Sequence, residues 1–207
     1  MDKNNIIILN QYASYANNKK QTEIGYPTNN KIELSEFYKW YISSGACNIS
    51  ANNAGDPFGA PKNYLNTLNF EKEVIEFFGP KYGFDIGNLW GIVTNSGTDG
   101  SNHGIYFGSK YLEKKTQKKP VVYVSDAAHY SIIRIADLQN LDFVIVPSDE
   151  HGCMITEELE KLLITNRPVL MVFAAGTTFK GGTDNQDAIN TVLSKYSSLG
   201  IYQIGRA

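Results

Sequence analysis

The chain has 207 residues, with 19 Lys and Arg against 21 Asp and Glu and an aromatic content of 12%. That is enough for one large globular domain or a domain with appendages, and the near-neutral balance points away from a nucleic-acid surface or an anionic membrane. Cys47 and Cys153 are too few for a disulfide framework, no run of about twenty apolar residues occurs, and only the short Ile6 to Leu9 patch follows Asp2, Lys3, Asn4 and Asn5, so a reducing, cytoplasmic setting is expected.

Taken in chain order, the first part is rich in Asn, Lys and Tyr. Helices are predicted over residues 10–19, 34–42 and 69–78, the last with apolar residues at Phe70, Val74, Phe77 and Phe78. Between the last two lies a loop-like stretch with Asn52, Asn53, Gly55, Asp56, Pro57, Gly59 and Pro61. Residues 1–85 therefore read as an N-terminal arm that packs onto something larger.

From Trp90 the pattern changes to alternating strands and helices, the signature of a mainly parallel sheet covered on both faces. Strands are predicted over residues 90–94, 121–124, 143–146, 169–174 and 201–204. Helices are predicted over residues 99–114, 131–138, 156–163 and 186–197. The lysines around Lys114 to Lys119 read as a solvated loop between two elements.

In open parallel sheets ligands bind at the carboxyl ends of the strands, so the residues that follow each strand matter most. Three ends are chemically loaded: Thr94 to Asp99, Ser125 to Tyr130, and Ala175 to Lys180. The first, with Ser96, Gly97 and Thr98 opening a helix, suits a phosphate monoester through free N–H groups and hydroxyls, and equally suits a tight connection. Asp99 repels an anion unless it points away, and it can instead cap the helix. His129 can act as a general acid or base, as a metal ligand or as a flat stacking surface. A zinc site is not expected, because His103, His129 and His151 show no paired ligand spacing. His151 and Cys153 read as part of a surface turn, as do Pro147, Ser148 and Asp149.

These residues also carry a resemblance. Gly25-Tyr26-Pro27, Asn52-Asn53-Ala54-Gly55-Asp56, Phe70 to Val74, Trp90 to Gly100, Ser125 to Ser131 and Gly176 to Gly181 stand in an order and spacing that resemble the group II pyridoxal-phosphate decarboxylases, above all the bacterial histidine and plant serine decarboxylases. The resemblance covers nearly the whole chain from Gly25 onward. It implies the large domain of a fold-type-I pyridoxal-phosphate enzyme, with pyridoxal 5'-phosphate as cofactor. By that resemblance Ser96, Gly97 and Thr98 hold the cofactor phosphate, His129 stacks on the pyridine ring and Thr177 lies near its other substituents. Asn53 and Asp56 line the substrate entrance, although Asx turns explain the same residues. Asp99 stands where the family usually has Glu. The implied reaction is loss of carbon dioxide from an L-amino acid, histidine first and serine next, in a cytoplasmic homodimer whose arm helps form the subunit contact.

The resemblance also implies parts that are not reached. The family's His-x-Asp-Ala-Ala motif would follow Ile201 and Tyr202, and its Schiff-base lysine lies later still. Residues 203–207 do not match the family and read as a translated sequencing adapter. A partial large domain over residues 86–207 is therefore expected, without the rest of that domain or the small C-terminal one, and inactive alone. A noncatalytic partner of a longer decarboxylase is the other expectation. A dinucleotide-binding domain fits less well, because Gly-x-Gly-x-x-Gly is absent.

Overall fold

A computed structural model describes residues 2–23, 32–62 and 64–206. Gly25-Tyr26-Pro27 lies outside the described residues. The chain divides into two compact units, one of Met1–Gly55 with Gly59–Leu68, the other of Asp56–Phe58 with Asn69–Ala207.

The first unit is built on α1 (Lys3–Lys20) and α2 (Ser35–Ser43). Helix α1 begins earlier than predicted, because no Gly or Pro interrupts residues 3–10. Neither helix has a buried residue, and in α2 Phe37 stacks on Tyr41 with ring centroids 5.8 Å or less from its aromatic neighbours. The loop after them is stapled by Asn53, whose amide donates to Thr67 Oγ1 at 2.6 Å and accepts from Thr67 N–H at 2.7 Å.

The second unit holds a four-stranded, wholly parallel sheet of β1 (Val121–Ser125), β2 (Asp142–Val146), β3 (Val169–Ala174) and β4 (Ile201–Arg206) in the order β2-β1-β3-β4. Its helices are α3 (Leu68–Phe78), α4 (Gly97–Thr116), α5 (Ser131–Leu138), α6 (Thr156–Leu162) and α7 (Gln186–Ser194). Successive side chains of a strand point to opposite faces, and the core divides accordingly. Val121, Tyr123, Val169 and Met171 pack with Leu159, Ile189 and Leu193 of α6 and α7. Val122, Val124, Leu170 and Val172 pack with Ile105, Leu112, Ile132 and Ile135 of α4 and α5. Both faces of β1 and β3 are thus covered, which explains their unbroken runs of apolar residues.

The strand expected over residues 90–94 is not one. This segment is extended but joins no sheet; Val93 N–H donates to the Glu71 carboxylate at 2.9 Å, and Trp90 Nε1 donates to Asp56 at 3.2 Å. Its β-forming residues serve as a connection held by side chains of neighbouring segments, so propensity is overridden by tertiary context.

Chain order fixes a switch point. The connection through α5 carries the chain from β1 to β2 at one edge, and the connection through α6 returns it to β3 on the other side of β1. The crevice between the ends of β1 and β3 is therefore where such a sheet binds ligands.

Candidate functional site

Two of the loaded strand ends meet at that switch point. Ala128 and His129, following β1, line a cleft together with Gly176, Thr177 and Thr178, which follow β3. The Gly-Thr-Thr loop is rigid because Thr177 and Gly182 brace it: Thr177 N–H donates to Gly182 O at 2.8 Å, and Gly182 N–H donates to Thr177 Oγ1 at 2.9 Å. Thr177 is buried, so its hydroxyl is spent on the loop's own backbone. At Gly182 an added Cβ would stand 2.4 Å from His151 O, so only glycine lets the loop lie against the turn after β2.

That turn had read as ordinary, and it buttresses the site. Asp149 accepts from the N–H groups of His151 and Cys153 at 2.9 and 2.8 Å, and Lys180 Nζ donates to Asp149 O at 3.2 Å. Asp184, 4% exposed, accepts from Met154 N–H and Ala174 N–H, each at 2.7 Å, and so ties the turn to the end of β3. Its only signal in the sequence was an acidic residue ten positions after a buried strand.

The first loaded end forms a neighbouring cleft. Ser96, Thr98, Asp99 and Asn102 of the α4 start face Tyr130, Ser131 and Arg134 of the α5 start. Ser96 is the N-cap of α4, its hydroxyl accepting from Asp99 N–H at 3.2 Å, and Asp99 in return accepts from Asn95 N–H at 3.4 Å. The cap is thus Ser96 rather than Asp99, whose carboxylate is held by the N–H of the residue before the cap. Arg134 adds a cation at this cleft that the motif reading did not single out.

His129 bridges the two clefts. Its ring lines the first, and its Nδ1 lies 2.9 Å from Ser131 Oγ and 3.2 Å from Ser131 N at the second. Tyr130 stacks on it with centroids 4.5 Å apart, covering one face of the imidazole. Burial holds its pKa below the ordinary histidine value, and the Arg206 guanidinium adds to the shift. Asn53 belongs to the first unit, engaged with Thr67, and Asp56 accepts from Phe58 N–H at 2.9 Å as well as from Trp90. Both side chains are thus used in loop hydrogen bonds.

The donor set suits pyridoxal phosphate. Hydroxyls of Ser96 and Thr98, the α4 N-terminus and the Arg134 cation suit its phosphate, and a neutral imidazole suits its ring. Among the described residues, no lysine lines either cleft.

Residues 106–201 match the model of the pyridoxal-dependent decarboxylase conserved domain. The chain is a relative of the pyridoxal-dependent decarboxylases. It is 29% identical over 95% of its length to a histidine decarboxylase of Solanum lycopersicum and 28% identical over 93% to serine decarboxylase 2 of Oryza sativa subsp. japonica. It covers 46% and 39% of those two proteins, so this decarboxylase relative spans about half or less of the curated relatives it matches. Its fold matches L-methionine decarboxylase from Streptomyces sp.590 with a TM-score of 0.79 at 18% identity, over 95% of this chain and 48% of that one. No helix among the described residues is long and apolar enough to cross a membrane.

Proposed function

We propose that this chain forms the cofactor-binding half of a pyridoxal-phosphate-dependent amino-acid decarboxylase, and that its substrate is L-histidine. The observation that carries the reading is the meeting of His129 and the Gly-Thr-Thr loop at the switch point, beside a cleft of hydroxyls and a cation suited to a phosphate. Bound there, the cofactor's pyridine ring supplies the electron sink for loss of carbon dioxide. Ser96, Thr98 and the first N–H groups of α4 bind the phosphate, with Arg134 balancing its charge. His129 offers its uncovered face to the ring, since Tyr130 occupies the other. Thr177 and Gly176 set the floor, held by Asp184 and the Asp149 turn. Asn53 and Asp56 belong to the substrate entrance in this reading, and the apolar helices of the first unit serve a homodimer contact. Serine is the second substrate candidate, favoured by the rice relative.

Titration with pyridoxamine 5'-phosphate, which forms no imine with surface lysines, tests the site without requiring turnover. Saturable binding weakened at least tenfold by Ser96→Ala with Thr98→Ala, and separately by His129→Ala, is expected. Binding that ignores both changes would sink the assignment. Carbon dioxide release from L-histidine against L-serine, assayed in a chain of the relatives' length that contains these residues, decides the substrate.

A further inference from the structure

Histidine 129 precedes α5 by two residues, and Ser131 is the first residue of that helix. The N–H of Ser131 is one of the helix's opening donors, which have no carbonyl within the helix to bond. It points at His129 Nδ1 at 3.2 Å, and the buried Ser131 hydroxyl lies 2.9 Å from the same nitrogen. A hydroxyl can donate or accept, so the second contact alone leaves the ring's proton undecided. A backbone N–H can only donate. Nδ1 must therefore present its lone pair, and in a neutral ring the proton sits on Nε2.

We propose that Ser131 is a positioning residue that locks His129 as the neutral Nε2–H tautomer, so that the imidazole meets the cleft as a hydrogen-bond donor rather than as an acceptor or a cation. Protonating Nδ1 would forfeit the bond from Ser131 N–H and place a positive charge at the positive end of α5. Burial opposes the imidazolium as well. The other groups facing the ring are Tyr130, stacked on it, and Arg206 of β4, whose charge acts in the same direction. A comparable device is the isomerase histidine kept neutral by a helix N-terminus. The consequence for a bound molecule is one fixed donor on the ring edge, a preference for an acceptor there and no net charge beneath an aromatic ring. This inference rests on the proposed function only for naming what occupies the cleft; the tautomer itself is a property of the chain alone.

The chain has three histidines, and they provide an internal contrast. His103 Nδ1 lies 2.9 Å from Asp99 O, an oxygen that only accepts, so His103 carries its proton on Nδ1, opposite to His129. Ring nitrogen-15 spectra of the whole chain, with resonances assigned through His103→Gln and His151→Gln, read both. The expected result is an unprotonated Nδ1 and protonated Nε2 for His129 at neutral pH, with the reverse for His103. Ser131→Ala keeps the backbone N–H and so should keep the Nε2–H tautomer, with the titration midpoint of His129 raised because the hydroxyl's bond to the neutral form is lost, while Ser131→Thr keeps the hydroxyl and leaves both unchanged. A wild-type His129 protonated on Nδ1, or averaged between tautomers, overturns the proposal even if no variant folds. So does a Ser131→Ala protein in which His129, still facing that backbone N–H, carries its proton on Nδ1. Loss of pyridoxamine 5'-phosphate binding with the tautomer intact would instead count against the proposed function alone.

Discussion

Asp184 braces the site without facing the cleft, by tying the turn after β2 to the end of β3. Its carboxylate accepts two buried backbone N–H groups, from Met154 and Ala174. Asp184→Ala leaves both donors buried without a partner, at a cost of roughly 3–5 kcal/mol of unfolding free energy, since each is a hydrogen bond to a charged group. Asp184→Asn retains one acceptor oxygen and should lose about half as much, in urea unfolding followed by circular dichroism. His129 adds a pH dependence. Its folded-state pKa lies below the ordinary 6.5, so as pH falls the unfolded chain takes up that proton first. Stability is full above the ordinary value and declines as pH drops through it toward the folded value. His129→Gln should flatten that part of the stability profile, and an unchanged profile would refute the assignment. The importance of His129 and Thr177 was legible from their place after strands. That of Asp184 was not, because nothing local distinguishes a buried carboxylate from a loop one.

Helix α4 illustrates an element whose glycines matter by contact rather than by turn. Gly104 faces Ile204, where an added Cβ would sit 3.4 Å away, and Gly108 faces the Tyr202 ring, where it would sit 2.6 Å away. The helix thus lies close on β4, with Tyr202 held in turn against Tyr111 at 5.8 Å between centroids. Gly108→Ala gains about 1 kcal/mol of helix propensity but overpacks the contact by roughly 1–3 kcal/mol, so net destabilisation is expected. Combining it with Tyr202→Ala should make the alanine at 108 favourable, and a double-mutant cycle reads the coupling. Additive effects would mean that the helix does not approach the strand this closely. The helical spans from α2 onward were predictable to within a few residues from apolar spacing, as Ser131–Leu138 demonstrates, whereas α1 begins seven residues before the predicted span. The segment at residues 90–94 was misread because its strand-like residues bond to Glu71 and Asp56, partners far away in sequence.

For the whole molecule, the exposed apolar surface is the dominant fact. Ile6, Ile7, Ile8 and Leu9 of α1 are between 42% and 61% exposed, and Phe143 and Ile145 on the edge strand β2 are 38% and 45% exposed. Exposed apolar side chains of this kind, together with an edge strand, favour association. Light scattering on a sizing column should therefore find species larger than one chain, with strong binding of an apolar dye. Ile7→Asp with Ile8→Asp should reduce both. A monodisperse monomer that ignores the dye would contradict this.

Composition, hydropathy period and strand-end residues by themselves determined an alternating α/β chain with His129 and the Gly-Thr-Thr loop at strand ends, because those signals are local and survive in the order of residues. The strand order β2-β1-β3-β4, and with it the switch point that brings residues after β1 to those after β3, was decided only in three dimensions. Parallel strands are joined through long crossovers, so neighbours in the sheet are not neighbours in the chain. The Asp184 clasp likewise joins residues distant in sequence, and the Ser131 contact on His129, though local, takes its meaning from which backbone N–H the ring nitrogen meets.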